Sequence, residues 1–292
     1  MNKQIGLDAV AGLIRDGMTL GIGGWGPRRK PMALVRAILG SDVKDLTVVA
    51  YGGPEVGMLC AAGKVKKLVY GFVSMDAIPL EPYFRKAREA GTLAVSELDE
   101  GLLQWGLRAA GMRLPFLPTR VGLGTDILTY NPDFKTITSP YADGEVMVAM
   151  PAIKLDLALI HVDTADRLGN THIHGPDPFF DALFARAAAH TIVSCEEIHD
   201  RLDLARPDDA RANYFERYLV SHVVHAPQGA HPTSCAPRYG WDMEHLKRYA
   251  AGAAEEGGWA RYGQEFLAGD EAAYQAAVGG ASRIGTLPLP VF

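Results

Sequence analysis

Cysteine is scarce in this sequence, and long apolar runs are missing. Only Cys60, Cys195 and Cys235 occur in 292 residues, far apart and without a CxxC pair, so a disulfide framework is not expected. The mean hydropathy is +0.01, and no stretch is long and apolar enough to span a bilayer. Residues 1–18 lack a secretory cleavage site and are predicted to form a short amphipathic helix. These absences predict a cytoplasmic protein that does not act at a membrane.

The sequence also lacks an excess of positive charge and three familiar motifs. With 29 Lys and Arg against 34 Asp and Glu, its net charge is −5, which argues against nucleic acid and anionic membranes as partners. It contains no Gly-Lys-Ser/Thr of a Walker A loop and no Gly-x-Ser-x-Gly elbow. The stretch GIGGWG does not complete G-x-G-x-x-G, and no ribose-binding acid follows it. P-loop, serine-hydrolase and dinucleotide-binding functions are therefore disfavoured.

What the first half does contain is a repeated strand–turn–helix unit. MTLGIGGW precedes KPMALVRAILG, LTVVAYGG precedes PEVGMLCAAG, KKLVYGFV precedes EPYFRKAREAG, and TLAVSEL precedes a helix that starts near Glu100. Strands that alternate with helices pair in parallel through right-handed crossovers. The pattern predicts an α/β fold built on a parallel sheet.

The second half varies this pattern. Residues 135–163 are predicted to form a hairpin and then a central strand, LDLALIHVD, with little helix. DPFFDALFARAAAH and TIVSCEEI restore the helix–strand alternation, and residues 241–292 form a helical C-terminal extension. Because no linker-like tract interrupts the chain, we expect one α/β domain over residues 1–292. Its sheet should be open and mostly parallel, with flanking helices.

The carboxyl ends of the predicted strands carry small and polar residues that could bind a ligand. In parallel sheets ligands gather at this edge, where the pattern places Gly23, Gly24, Gly26, Gly52, Gly53, Ser74 and Glu100. In GIGGWGPRRK the glycines could turn backbone N–H groups toward an oxyanion or phosphate, and Arg28, Arg29 and Lys30 add positive charge. A tight turn explains the same glycines equally well.

Two adjacent carboxylates, Asp99 and Glu100, stand at the head of the helix GLLQWGLRAAGM. A carboxylate in the positive end of the helix dipole is stabilised in its charged form, so it could act as a general base or nucleophile. The competing interpretation is that one of the pair simply caps the helix. The sequence pattern alone favours the cap.

Residues 161–175 contain three histidines, and two of them could bind a metal. His172 and His174 share one face of a predicted strand, and His161 or Asp177 could complete the ligand set. The run Asp-x-x-Gly-Asn is more typical of a tight turn, so we predict no metal site. Cys195 precedes two glutamates, which raise the pKa of a thiol, and is therefore predicted to be a buried strand cysteine.

Several of these segments, in this order, resemble the alpha subunits of family I coenzyme A transferases. The resemblance runs from about residue 5 to about residue 250. The matching stretches are GIGGWGPRRKPMALVRAI, LTVVAYGGPEVGMLCAAGKVKKLVYGFV, SELDEGLLQWGLRAAGMRLPFLPTRVGLGTD and ALIHVDTADRLGN. The resemblance implies the open α/β fold of the NagB/RpiA/CoA-transferase-like proteins. It also implies a beta subunit as partner, since this chain has no Ser-Glu-Asn-Gly stretch to supply the transferase glutamate.

One departure from the transferase pattern is informative. Where many alpha subunits have Glu-Leu-x-Pro-Gln-Gly, residues 97–101 are Glu-Leu-Asp-Glu-Gly, which replaces an amide by the acid Glu100. With ITSPY and HAPQGAHPTSCAPRYGWD, this substitution resembles the branch of the family that hydrolyses steroid-derived CoA esters. That resemblance implies opening of the last steroid ring, from a cyclic 6-oxocyclohex-1-ene-1-carboxyl-CoA to an open-chain keto-diacyl-CoA, in cholesterol or bile-acid degradation. By motif, the catalytic glutamate falls on Glu100.

The resemblance implies further features of such an enzyme. These are an α2β2 heterotetramer, an acyl-CoA substrate and no cofactor other than the CoA of that substrate. The residues assigned to binding the CoA ester are Gly23, Gly24, Trp25, Gly26, Arg28, Arg29, Gly52 and Gly53. Two alternatives stay open: the alpha subunit of a glutaconate-type CoA transferase, and a non-catalytic scaffold half of a heteromer.

Overall fold

The computed structural model describes residues 2–141, 143–176 and 178–290, and its largest element is a nine-stranded sheet. A separate sheet has three strands. In chain order the strands are β1 (Gln4–Ile5), β2 (Thr19–Ile22), β3 (Leu46–Gly52), β4 (Val65–Val73), β5 (Ala94–Glu97), β6 (Phe116–Thr119), β7 (Lys135–Thr138), β8 (Val146–Pro151), β9 (Leu155–Asp166), β10 (Thr171–His172), β11 (Ala188–His199) and β12 (His222–His225).

Helices flank the large sheet and form the end of the chain. They are α1 (Met32–Leu39), α2 (Pro54–Ala61), α3 (Pro82–Glu89), α4 (Glu100–Gly111), α5 (Ile127–Tyr130), α6 (Asp181–Ala187), α7 (Pro207–Ala212), α8 (Met243–Gly252), α9 (Gly258–Phe266), α10 (Glu271–Ala277) and α11 (Gly280–Ile284). Among the described residues, none of the helices combines the length and the apolar character that a membrane crossing requires.

The large sheet confirms the predicted parallel α/β fold. Its order is β1-β12-β11-β9-β2-β3-β4-β5, and every neighbouring pair on this path is parallel. Only β10 is antiparallel, where it pairs with β9. The predicted central strand, β9, lies between β11 and β2 and is buried along nearly its whole length. A strand covered on both faces has few polar positions to alternate with its apolar ones, which explains its apolar sequence.

The two faces of the large sheet have separate hydrophobic cores. Leu159 of β9 belongs to the core that α1, α2, α3 and the C-terminal helices cover. Its neighbour Ile160 points to the other face, toward α4, α6 and β8. Because side chains alternate along a strand, one strand supplies both cores. The chain is therefore layered, with helices on one side of the sheet and helices plus the small sheet on the other.

The small sheet, in the order β6-β8-β7, contains the predicted hairpin and a strand that the sequence analysis missed. The hairpin pairs β7 with β8, for example Ile137 with Met147. Residues 116–119 lie in a stretch rich in Pro and Gly, yet they pair with β8 as β6, with Leu117 opposite Met150. Pro118 is tolerated there because β6 lies at the edge of the sheet.

The N-terminal helix prediction was wrong. Residues 4 and 5 form β1, which pairs with β12 near residue 223, and two short 3-10 turns follow at Leu7–Ala9 and Ala11–Leu13. A pairing partner more than 200 residues away cannot be identified from local periodicity. The helix α6 is also shorter than predicted, because residues 188–190 pair with β9 and lengthen β11.

The C-terminal extension is helical, as predicted, and a buried polar network attaches it to the domain. His231 Nε2 lies 3.0 Å from Asp242 Oδ2, and His231 Nδ1 lies 2.7 Å from the Tyr274 hydroxyl. His245 Nε2 lies 2.9 Å from the Tyr262 hydroxyl. Burial, with a further contribution from nearby His231, lowers the pKa of His245 from 6.5 to about 3. His245 therefore stays neutral in the folded chain at neutral and mildly acidic pH.

This buried histidine predicts loss of stability in acid. Between pH 6.5 and about 3 the unfolded chain binds a proton at His245 that the folded chain does not, so the unfolding free energy falls as the pH falls. His245→Gln, which can still bond Tyr262, should remove about 2 kcal/mol of the loss that the wild type shows between pH 7.5 and 5. Urea unfolding at both pH values measures this. The exposed His199→Gln serves as control, and an equal acid loss in all three proteins would contradict the expectation.

Candidate active site

The carboxyl ends of β2, β3, β4 and β5 bring the predicted site residues to one edge of the sheet. Gly23 and Gly24 directly follow β2, Gly52 ends β3, and Ser74 follows β4. Ser74 donates its backbone N–H to the Gly52 carbonyl at 2.9 Å, which joins two of these ends. Glu100 begins α4, two residues after Leu98 bonds to β4. The sequence-based placement is confirmed.

Asp99 and Glu100 have different roles at the start of α4. Asp99 is the N-cap, and its Oδ1 accepts the Leu102 N–H at 2.7 Å. Glu100 is the first helical residue and is half-buried. Since Asp99 satisfies the helix terminus, the Glu100 carboxylate is not engaged in capping. The cap prediction therefore applies to Asp99 alone.

Two aromatic side chains, one from the loop after β2 and one from β3, hold the Glu100 carboxylate and its backbone carbonyl. The Trp25 indole Nε1–H donates to Glu100 Oε1 at 3.1 Å, and the Tyr51 hydroxyl donates to the Glu100 backbone carbonyl at 3.0 Å. Gly71 of β4 permits this close approach, since a Cβ there would lie 3.3 Å from the Glu100 Cα. Burial, and then the charges of Glu100 and Asp99, raise the pKa of Tyr51, so its hydroxyl remains a donor.

An aromatic wall, formed by Trp25, Tyr51, Phe72 and Phe180, lies beside the Glu100 carboxylate. The Trp25 and Phe72 rings meet edge to face at 4.8 Å, and Tyr51 lies 4.6 Å from Phe180 and 6.0 Å from Phe72. Trp25, Phe72 and Phe180 are only partly buried. The site thus combines one carboxylate with a partly accessible apolar surface suited to a ring or hydrocarbon group.

The glycine N–H groups after β2 and β3 are used within the chain. Gly23 donates its N–H to the Leu159 carbonyl at 2.9 Å, and Gly24 donates to Asp181 Oδ1 at 2.8 Å. The N–H of Gly26 bonds to the Tyr51 carbonyl at 3.2 Å, and that of Gly53 to Glu55 Oε2 at 3.0 Å. Of the two interpretations of the GIGGWG glycines, the structure therefore supports the tight turn and not the oxyanion hole. Their part in binding a CoA ester stays a prediction.

The charges of the same loop are mostly turned inward. Arg29 Nη1 lies 2.5 Å from Asp181 Oδ2, and Lys30 Nζ lies 2.8 Å from Glu55 Oε1, with all four side chains at most 3% exposed. The expectation that Arg29 and Lys30 meet CoA phosphates is therefore corrected. The reason is that a buried cation needs a paired carboxylate, and these two cations have one inside the fold.

Arg28 is the one cation of the three that reaches the surface. Its side chain is 23% exposed, and its Nη2 lies 2.7 Å from Asp76 Oδ2. The guanidinium also lies over the Trp25 ring, 4.8 Å from its centroid. Arg28 therefore packs on the residue that holds Glu100.

The histidines of the predicted turn do not converge on one point. The rings of His172 and His174 lie 5.4 Å apart, and His172 Nδ1 is 4.0 Å from Asp209 Oδ1. His161 points into a different cluster on β9 and β11, and Asp177 lies outside the described residues. Cys195 is buried in β11, and burial raises its pKa to about 12, which agrees with its predicted role as a strand cysteine.

Within the described ranges, one group has donor atoms close enough together for a metal: His161, Glu196 and Cys235, all within 4.8 Å. Its polar atoms already have protein partners. His161 lies 2.8 Å from Ser194 Oγ and 2.9 Å from Glu196 Oε1, and Glu196 also accepts the Tyr239 hydroxyl at 2.5 Å. The group therefore acts as a polar network that holds the loop carrying Tyr239 against β9 and β11.

Local sequence patterns did not identify the carboxylates and aromatic rings that hold this site together. Asp181 and Asp76 neutralise Arg29 and Arg28, and Phe72 and Phe180 complete the aromatic wall. The only available signal was that two adjacent arginines beside a buried strand need acidic partners. Which acids they meet depends on the order of strands in the sheet.

The cap assignment predicts a stability difference at position 99. Asp99→Ala removes the side-chain acceptor for the Leu102 N–H and should lower the unfolding free energy by about 1 kcal/mol. Asp99→Ser retains a capping oxygen and should stay within a few tenths of the wild type. Urea unfolding curves compare the three proteins. Equal stability of the Ala and Ser variants would show that Asp99 does not cap α4.

The buried ion pair predicts a larger effect at position 181. Asp181→Asn removes the negative charge that faces the buried Arg29 guanidinium at 2.5 Å, so the unfolding free energy should fall by about 3–5 kcal/mol. Asp208→Asn disrupts an ion pair with Arg211 in which the Arg211 side chain is 76% exposed and that of Asp208 is 94% exposed. This control variant should change the unfolding free energy by less than about 1 kcal/mol. If both variants unfold like the wild type, Arg29 does not depend on Asp181.

Comparison with known proteins shows which family this chain resembles. Residues 6–226 match the family model described as coenzyme A transferase. A protein of Rhodococcus jostii (strain RHA1) named "Cholesterol ring-cleaving hydrolase IpdA subunit" is 48% identical over 283 residues, which cover 95% of this chain and 96% of that protein. A protein of the same name from Mycobacterium tuberculosis (strain ATCC 25618 / H37Rv) is 48% identical over 290 residues, covering 97% of this chain and 99% of its own.

A solved structure agrees with the sequence comparison. The crystal structure of glutaconate coenzyme A-transferase from Acidaminococcus fermentans superposes with a TM-score of 0.89 at 30% identity, covering 99% of this chain and 96% of that one. The predicted fold is thereby confirmed over nearly the whole chain. On the family match, the two relatives and this superposition, the chain belongs to the coenzyme A transferase family.

Proposed function

We propose that this chain is the alpha subunit of a hydrolase that opens the ring of a cyclic CoA thioester, with Glu100 as the general base. The observation that carries the proposal is the half-buried Glu100 carboxylate, held by Trp25 at the carboxyl edge of the sheet beside the aromatic wall. Two relatives named as subunits of cholesterol ring-cleaving hydrolases, each 48% identical, support it. The substrate that fits both the site and the names of these relatives is 6-oxocyclohex-1-ene-1-carboxyl-CoA, or a substituted form of it, from late steroid degradation.

The proposed reaction needs one base and one water molecule. Glu100 takes a proton from the water, and the resulting hydroxide adds to the ring alkene carbon β to the thioester, which turns the carbon bearing the thioester into an enolate. The proton held by Glu100 passes to that enolate carbon and gives a β-hydroxy thioester. Glu100 then takes the proton of the new hydroxyl group, the bond between the two former alkene carbons breaks, and its electron pair passes into the keto thioester as an enolate that Glu100 protonates. The hydroxyl-bearing carbon becomes a new carbonyl, a ketone where that carbon is substituted, and an open-chain keto acyl-CoA is released.

A glutamate is required in this scheme because a glutamine cannot carry the proton. The backbone donors of the loops after β2 and β3 are used within the chain, so we assign stabilisation of the oxyanion to other groups. The partly accessible rings of the aromatic wall suit the cyclic acyl group. No cofactor is part of the proposal, since CoA enters as part of the substrate.

A partner subunit completes the proposed site. Glu100 lies half-buried at the carboxyl edge of the sheet, and the two relatives are named as subunits. We propose that a beta subunit of the same family covers this edge in an α2β2 assembly, and that the assembly acts in the cytoplasm. The oxyanion donors that this chain does not supply would then come from the partner.

The second candidate is the alpha subunit of a glutaconate-type CoA transferase. The TM-score of 0.89 to glutaconate CoA-transferase favours it. In a transferase the covalent glutamate comes from the partner, so this function gives Glu100 no proton to transfer. The two candidates therefore differ in what happens when Glu100 loses its charge.

Substitution of Glu100 tests the proposal. In the complex reconstituted with its beta subunit, Glu100→Gln should reduce ring opening of the cyclic CoA ester at least about 100-fold, because the base is lost while the shape is kept. Assembly, measured by size-exclusion chromatography, should be unchanged. Asp99→Asn, which alters the neighbouring capping carboxylate, should keep most of the activity.

Two results would decide against this assignment. Near wild-type ring opening by Glu100→Gln would exclude Glu100 as the base. Transfer of CoA from a donor acyl-CoA to a free acid, unaffected by the substitution, would support the transferase function instead.

A further inference from the structure

We propose that Trp25 is a positioning residue for Glu100: its indole N–H fixes one carboxylate oxygen so that the other takes the proton from water. The inference rests on the proposed function, in which Glu100 is the base. It assigns Trp25 a role other than the contact with the CoA ester expected from the sequence. The residues involved lie on three separate elements, the loop after β2, the end of β4 and the start of α4.

The contact itself is specific to one oxygen. Trp25 Nε1 donates to Glu100 Oε1 at 3.1 Å across 75 residues of sequence. Among the described residues, Oε2 accepts no hydrogen bond from the protein. Because an indole N–H donates but cannot accept, Trp25 cannot take the proton itself. The arrangement therefore leaves Oε2 as the basic atom and holds Oε1 as its anchor.

The indole is held on two sides. Phe72 meets it edge to face at 4.8 Å with an interplanar angle of 65°. The Arg28 guanidinium lies 4.8 Å from the ring centroid, and Asp76 fixes that guanidinium at 2.7 Å. Aromatic edge-to-face and cation–π contacts are directional and favour one placement of the ring. Trp25 therefore keeps one orientation, with its N–H directed at Glu100.

The backbone around Trp25 is equally restricted. Trp25 and Arg28 exchange two backbone hydrogen bonds of 3.0 Å, which close a tight turn. The glycines on either side have positive φ, +74° at Gly24 and +52° at Gly26, a conformation that other residues rarely adopt. At Gly24 a Cβ would lie only 2.5 Å from the Arg28 carbonyl oxygen. The GGWG sequence is thus explained by the turn that presents the indole.

The consequence for the base is geometric. A fixed Oε1 prevents the carboxylate from rotating away from the substrate. The other polar groups around Glu100 are the Asp99 carboxylate on the same helix, the Tyr51 hydroxyl on its backbone carbonyl, and Arg28 above the indole. Within the described part of the chain, it is the Trp25 indole that bonds to the Glu100 carboxylate itself.

Replacement of the indole by a phenyl ring tests the proposal in the assembled enzyme. Trp25→Phe keeps an aromatic ring and removes the N–H, so kcat for ring opening should fall about tenfold or more while KM changes by less than about threefold. A structural role alone would not lower kcat at a nearly unchanged KM.

Trp105→Phe is the matched control. Trp105 lies on α4, and its indole N–H donates to the Pro118 carbonyl at 2.9 Å, away from Glu100. This variant loses an indole hydrogen bond of similar length but should keep the wild-type kcat and KM. If Trp25→Phe behaves like Trp105→Phe, the proposal is overturned. A rise in KM at unchanged kcat also overturns it, because Trp25 would then bind substrate.

A second variant keeps the test decisive if Trp25→Phe does not assemble. Asp76→Asn loosens the Arg28 guanidinium that packs on the indole, and should lower kcat two- to fivefold with KM changed by less than about threefold. Unchanged kinetics in that variant would contradict the proposal. Loss of activity in Glu100→Gln with no effect of Trp25→Phe refutes the positioning role alone, whereas an active Glu100→Gln refutes the function on which it rests.

Discussion

The buried ion pair between Arg29 and Asp181 is the constraint on which the site depends. Neither side chain is more than 3% exposed, and removing such charges from water is unfavourable unless they are paired. Asp181 also accepts the Gly24 N–H, so one carboxylate at the start of α6 fixes both ends of the turn that contains Trp25. Lys30 and Glu55 form a second buried pair directly beyond that turn. The loop after β2 is therefore internally satisfied and rigid.

That rigidity explains how a glycine-rich loop serves the site without binding through its backbone. Its N–H groups and two of its three cations are used inside the fold, and what it presents outward is the Trp25 indole with Arg28 packed on it. Glu100 begins α4, and Asp99 caps that helix by accepting the Leu102 N–H. Because Asp99 is the cap, the Glu100 carboxylate remains available for chemistry.

Local sequence signals predicted the elements on which the site is built, and failed where distant residues decide. The strand–helix alternation, the cap at Asp99 and the edge position of Glu100 follow from periodicity and helix-end chemistry, which act over a few residues. The strand β1 pairs with a segment more than 200 residues away, and Arg29 meets an acid 152 residues away. Such partners depend on strand order, which local patterns do not encode. The contact between Trp25 and Glu100 was missed for the same reason.

The central feature of the proposed site is a Glu100 carboxylate with one anchored and one reactive oxygen. A crystal structure of the assembled enzyme with an unreactive analogue of the cyclic CoA ester tests this most directly. The predicted result is Trp25 Nε1 still bonded to Oε1, with Oε2 within about 3 Å of a water molecule facing the ring double bond. An analogue ring bound away from Glu100, or a carboxylate turned from the ring and bonded only to protein, would contradict it.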